Sequence, residues 1–186
     1  MKQFLTIILF LPIVSVNVAL AESHLSKDAE QAEKFEKAVK FVSDKKYVEA
    51  VEEFKALASL GLPEAQFNLA ILYLNGLGTP KNFKSSLYWS WYAYLNDHQT
   101  ALDQVETIYS SITETLRDTV ANQVVEELLL SANNGDQLAT LKLGRTYMQL
   151  FVVPDYKSAY IWLSIAQAYG VEGVTDLLEN ASKQLT

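Results

Sequence analysis

Beyond Glu22 the apolar residues of this chain recur at spacings of three and four, and no stretch alternates apolar and polar as a half-buried strand does. The pattern predicts an all-α fold. A first helix is expected over Ala29–Val42, with Phe35, Ala38, Val39 and Val42 on one face, and a turn at Ser43-Asp44-Lys45. A second covers Tyr47–Leu60 and stops at Gly61, which suits a left-handed C-terminal cap. Pro63 fits the first turn of a third helix, where a missing N–H costs nothing. That helix runs to Asn75 and breaks at Gly76-Leu77-Gly78; Pro80 then opens a fourth, which carries the aromatic run Tyr88 to Tyr94. Further helices are expected at 99–112, 114–133, 137–150, 155–169 and 171–184.

The chain also resembles itself. Displaced by 74 positions, Gly61 falls on Gly135, Val51-Glu52-Glu53 on Val125-Glu126-Glu127, Ala58 on Ala132, Ala65 on Ala139, Leu69 on Leu143 and Tyr73 on Tyr147. One residue is lost in the following loop, after which Lys84-Ser85 falls on Lys157-Ser158, Trp89 on Trp162, Ala93 on Ala166 and Asp103 on Asp176. Recurring small residues mark places where helices approach closely, and recurring large ones mark pockets filled twice, so stacked hairpins with a continuous core follow. The copies cover about 47–113 and 121–186, and the hairpin around Asp97 to Thr113 has lost most of the pattern.

Gly61, Ala65, Gln66, Leu69, Tyr73, Gly76, Gly78, Lys84 and Trp89 resemble the Sel1-like repeat, a relative of the tetratricopeptide repeat. Gly135, Ala139, Leu143-Gly144, Tyr147, Lys157, Ala159, Trp162, Ala166 and Gly170 carry the same resemblance, except that Leu150-Phe151-Val152-Val153 stands where the first copy has its Gly-x-Gly loop. The resemblance implies a right-handed α-α superhelix of about four hairpins, closed by a ninth short helix. It also implies a protein-interaction scaffold, similar in its exported bacterial members to adaptors and regulators of envelope proteins.

The first 21 residues differ from the rest. Lys2 is the only charge before Glu22, Phe4 to Leu20 is nearly all apolar, and Ala19-Leu20-Ala21 supplies the small residues of a cleavage site. A secretory signal peptide over 1–21 is expected, followed by one repeat domain over 22–186 in the periplasm or outside the cell. A retained membrane anchor is the alternative, since a run of about 17 apolar residues reaches the lower limit for spanning a bilayer. The chain has no cysteine, which excludes disulfides and thiolate chemistry. Its formal charge of −7 is not relieved by any cluster of Lys and Arg, so nucleic acid is not expected as a partner. A protein or peptide is.

No motif supports catalysis, and neither a metal nor a cofactor is expected. The two histidines, His24 and His98, stand far apart, the second in a polar turn that solvent is expected to reach. The serines lie outside nucleophile motifs, and Gly76-Leu77-Gly78 lacks the residues of a phosphate cradle. Glu52-Glu53 and Glu126-Glu127 recur in both copies, as a solvated face or a shared ion pair does. An enzyme acting on cell-wall glycan would need Glu64, Glu126 or Asp176 buried beside an aromatic groove.

One contrast between the copies suggests a site. Trp89 and Ala93 recur and are expected in the core, whereas Tyr88, Trp91 and Tyr94 match Ile161, Ser164 and Gln167. Three apart on a helix, they share a face. With Asn68, Leu72 and Asn75 of the preceding helix they form a candidate partner-binding groove; the alternative is packing against Val105, Ile108 and Tyr109 of the degenerate hairpin.

Overall fold

The computed structural model describes residues 14–185, with side chains from residue 27 onward. Nine helices and no strand occur among these residues: α1 Val14–Ser43, α2 Tyr47–Ser59, α3 Pro63–Asn75, α4 Phe83–Leu95, α5 Ala101–Tyr109, α6 Glu114–Asn133, α7 Gln137–Gln149, α8 Tyr156–Ala168 and α9 Thr175–Lys183. Each helix packs on its neighbour in sequence up to α5, and α6 then packs back on α4 as well as on α7. The architecture is an α-α solenoid. The unit that recurs is a block of four helices, α2 to α5 and then α6 to α9, with α1 covering the open side of the first.

The expected segment 1–21 lies outside the described residues as far as residue 13. From Val14 the backbone is helical without a break through Ala21 to Ser43, so α1 begins well before the expected Ala29. Among its described side chains, Phe35, Ala38, Phe41 and Val42 pack with Phe54, Leu57 and Leu69 of α2 and α3. The side chain of His24 lies outside the described residues.

Both blocks use one joint between their second and third helices. Asn82 N–H donates to the Tyr73 carbonyl at 2.9 Å, and Asp155 N–H to the Tyr147 carbonyl at 3.0 Å. The same two side chains cap the helix that follows, Asn82 accepting from Ser85 N–H and Asp155 from Ser158 N–H, each at 3.0 Å. Pro80 therefore does not open α4; Asn82 does, because its carbonyl oxygen satisfies an N–H that the first turn leaves unpaired.

The loops entering these joints are built differently. In the first copy Gly76 ends α3 with φ 69°, and Gly78, with φ 70°, passes so close to α2 that any side chain would overlap the Tyr47 carbonyl. In the second, Leu150 ends α7 in ordinary helical geometry and is fully buried. Arg117 of α6 meets the freed carbonyls: Nε donates to Leu150 O at 2.7 Å, and Nη2 to Gln149 O at 2.9 Å and Phe151 O at 3.0 Å. Its guanidinium lies 3.8 Å from the centroid of the Tyr109 ring, and Asp118 accepts from Val152 N–H. Phe151 stacks on Tyr147, so of the apolar loop only Val153 stands well out in solvent. A forked donor from the neighbouring helix does the work that glycine does in the first copy.

Candidate groove between the two blocks

The candidate stripe divides on folding. Trp91 is completely buried among Leu87, Val105, Ile108 and Leu143, and its indole N–H donates to Thr146 Oγ1 at 3.1 Å. Tyr94 is half-buried and donates to Gln149 Oε1 at 2.7 Å. Leu72 belongs to the core under α1 and α2. Asn68 and Asn75 spend their amides on carbonyls of their own helix, those of Glu64 and Ile71. The six residues thus form no common wall. Trp91 packs against the degenerate hairpin, and of the six only Tyr88 lines the groove described next.

That groove, about 550 Å³ in volume, opens between the α2–α3 turn, α4 and the α6–α7 turn. Tyr88 and Tyr92, one turn apart on α4, point their hydroxyls at one carboxylate oxygen of Glu127 on α6, at 2.6 and 2.8 Å. Gln123, one turn earlier on α6, donates to the other oxygen at 3.1 Å. Burial raises the pKa of both phenols well above that of ordinary tyrosine, and the neighbouring carboxylate adds to the effect. Both hydroxyls stand as donors to the Glu127 carboxylate. Trp89 meets Tyr88 edge to face at 5.0 Å and completes the aromatic side.

A second network closes the other end. Lys142 Nζ donates to Asn96 Oδ1 at 2.7 Å, Asn96 Nδ2 to Gln66 Oε1 at 2.8 Å, and Gln66 Nε2 to the Ala58 carbonyl at 3.1 Å. Four helices are joined through this chain of bonds. Burial lowers the pKa of Lys142, opposed by Asp136 and Asp97. Asp136 is itself engaged, capping α7 through Oδ1 and accepting from Ser131 through Oδ2.

Trp89 and Trp162 occupy like places, each half-buried at the margin of the core beneath its own block. They are less enclosed than the recurrence of tryptophan suggests. Glu64, Glu126 and Asp176 are all exposed; the carboxylate that the groove does hold is Glu127. Its first-copy counterpart, Glu53, instead pairs with Lys37 at 2.6 Å. The sequence marks Glu127 only as half of a recurring acidic pair expected on a solvated face or in an ion pair, and it does not single out Tyr92, Asn96 or Lys142, whose roles arise only when α4, α6 and α7 are brought together. His98 also departs from expectation. It stacks on Phe67 with ring centroids 4.1 Å apart, and its Nδ1 is buried without a partner. Among the described residues no cluster of three or more His, Asp or Glu is placed to hold a metal ion, and no helix is long and apolar enough to cross a membrane.

Residues 63–90 and 137–166 match the Sel1 repeat. A Sel1 repeat protein from Oxalobacter formigenes, known from its crystal structure, is similar over 77% of this chain and 60% of that one, at 21% identity and a TM-score of 0.43. This chain thus spans about three-fifths of that protein's length. No curated protein matches it. The stretches that match fall on α3 with α4 and on α7 with α8, so the chain is an α-helical repeat protein with two stretches that match the Sel1 repeat.

Proposed function

We propose that the protein is a non-catalytic scaffold of the bacterial cell envelope that holds an extended stretch of a partner polypeptide in the groove between its two blocks. Sel1 repeat proteins mediate protein–protein interaction, and the groove is the surface here best suited to it. The observation that carries the reading is the fixed lining: Tyr88 and Tyr92 are held by Glu127, Lys142 by Asn96, and Asn96 in turn by Gln66. A partner meets side chains that need no reordering, and the entropy cost of binding falls accordingly. Glu127 already accepts three hydrogen bonds, so it serves as a support rather than as an acid or nucleophile.

Location in the envelope is supported by Lys2, the apolar run Phe4 to Leu20 and Ala19-Leu20-Ala21. Cleavage after Ala21 leaves in place Phe35, Ala38, Phe41 and Val42, which pack with Phe54 and Leu57 of α2.

A photo-crosslinking residue placed at Leu60, which lines the groove and is 60% exposed, tests the reading in cells, with Val153 as the control position. Discrete protein adducts from position 60 and none from 153, in the fraction released by osmotic shock, are expected. Adducts from both positions or from neither overturn the groove. A protein found only in the cytoplasm overturns the location.

A further inference from the structure

Lys142 lines two adjoining depressions. One is the groove; the other is a cup of about 260 Å³ walled by Pro63, Leu95, Leu138 and Leu141, with Arg145 and Asp97 at its edge. The two share Gly61, Asn96 and Lys142. An ammonium has three donors, and Asn96 Oδ1 is the one acceptor that Lys142 meets among the described residues. The carboxylates nearby have partners of their own. Glu127 accepts from Tyr88, Tyr92 and Gln123, Asp136 from Ser131 and the start of α7, and Asp97 Oδ1 from Arg145 at 3.0 Å. The ammonium therefore has donors to spare, in surroundings where burial lowers its pKa against the pull of Asp136 and Asp97.

The two cations are not demanded by repeat packing, since Lys142 stands where the first copy has Asn68, and Arg145 where it has Ile71. Because Lys142 lies where the depressions meet, a chain occupying both passes it midway along its length rather than at its end.

We propose that the groove selects an acidic residue: an Asp or Glu side chain of the partner segment binds the Lys142 ammonium, and an apolar side chain beside it seats between Leu138 and Leu141. This rests on the groove reading above and adds the chemistry of the ligand. Charge-assisted bonding to an ammonium partly withdrawn from water gives the acid its advantage over an amide of the same shape.

The test begins with a displayed library of random dodecapeptides enriched on the purified protein. Recovered sequences, made with a fluorescent label, are titrated by anisotropy against the wild type, Lys142→Gln and Leu60→Glu. Expected are sequences with Asp or Glu beside Leu, Ile or Phe, and a loss of tenfold or more when that acid becomes its amide. Lys142→Gln, which can keep the bond to Asn96, should cause a similar loss and make the peptide change indifferent. Binding lost with Leu60→Glu but not with Lys142→Gln overturns the acidic ligand and leaves the groove standing. Peptides insensitive to both variants, or no enrichment at all, overturn both. Loss only on amidating the peptide C-terminus assigns the carboxylate to a chain end and overturns the side-chain assignment. If Lys142→Gln melts early, the acid-to-amide change on the wild type decides alone.

Discussion

Tyr88 donates its phenolic proton to Glu127, 39 residues further along the chain, at 2.6 Å, and the same carboxylate oxygen takes Tyr92. The two blocks are tied by a side chain that also shapes the groove. Removing it strands two half-buried hydroxyls, and hydrogen bonds to a charged group contribute roughly 1.5–3 kcal/mol each. Glu127→Ala is expected to lower the urea midpoint by the equivalent of about 3 kcal/mol, whereas Glu127→Gln, which keeps a carbonyl acceptor, should lose about half of that. Equal losses in the two variants would mean that the carboxylate's hydrogen bonds are not what holds α4 to α6.

Arg117 supports the end of α7 through three carbonyls. Arg117→Ala is expected to cost about 3 kcal/mol, and Arg117→Lys to recover little, because one ammonium cannot reproduce the fork or the stacking on Tyr109. Thermal melting of the two variants beside the wild type checks this; a lysine variant that melts like the wild type would contradict it.

Gly61 and Gly78 both have positive φ, yet a side chain at Gly61 meets nothing, while one at Gly78 runs into the backbone of Tyr47 and Val48. Gly61→Ala should cost about 1 kcal/mol, the usual penalty for alanine in the left-handed region. Gly78→Ala should cost several times as much. Comparable denaturation midpoints for the two would show that α2 yields easily at this contact.

Burial holds the pKa of His98 below its ordinary value of 6.5, against the pull of Glu64. The folded protein thus binds fewer protons than the unfolded chain as pH falls through 6.5. Stability must decline across that interval and level off below the folded-state pKa. Chemical denaturation between pH 7.5 and 4.5 should show this decline in the wild type, and a shallower one in His98→Gln. Identical pH profiles would remove the histidine from the account.

Trp91→Ala is expected to cost about 3–5 kcal/mol, as truncation of a buried aromatic does. If peptides enriched on the groove still bind the variant where it remains folded, Trp91 is confirmed as packing rather than contact surface; a loss of binding without a loss of stability would reverse that assignment.

The repeat was legible in the sequence because its signature is steric. Ala65 with Ala139 and Tyr73 with Tyr147 do the same packing twice, and a stacked pair of helices tolerates few substitutes there. The stripe of Tyr88, Trp91 and Tyr94 divides between groove and packing for a reason visible only in three dimensions. Its counterparts Ile161, Ser164 and Gln167 lie on α8, where no described helix takes the place that α6 takes on α4; Ile161 is 49% exposed and Tyr160 39%, whereas Leu87, the counterpart of Tyr160, is fully buried. At Trp91 the difference between the copies marks which helix has a neighbour. Glu127 was hidden by the opposite effect. It repeats Glu53, but one pairs with a lysine of α1 and the other with two tyrosines of α4, so equal letters acquire unequal roles from what each block is stacked upon.

The joint between Tyr73 and Asn82, repeated between Tyr147 and Asp155, is made by main-chain atoms. What lies between its two ends can therefore be built in more than one way: one copy spans the gap with glycines, the other with one residue fewer and an arginine brace, and both deliver the next helix through the same latch. Evolution could lengthen or rewrite these connectors without renegotiating the stack, which makes them the natural places to graft new segments onto this scaffold.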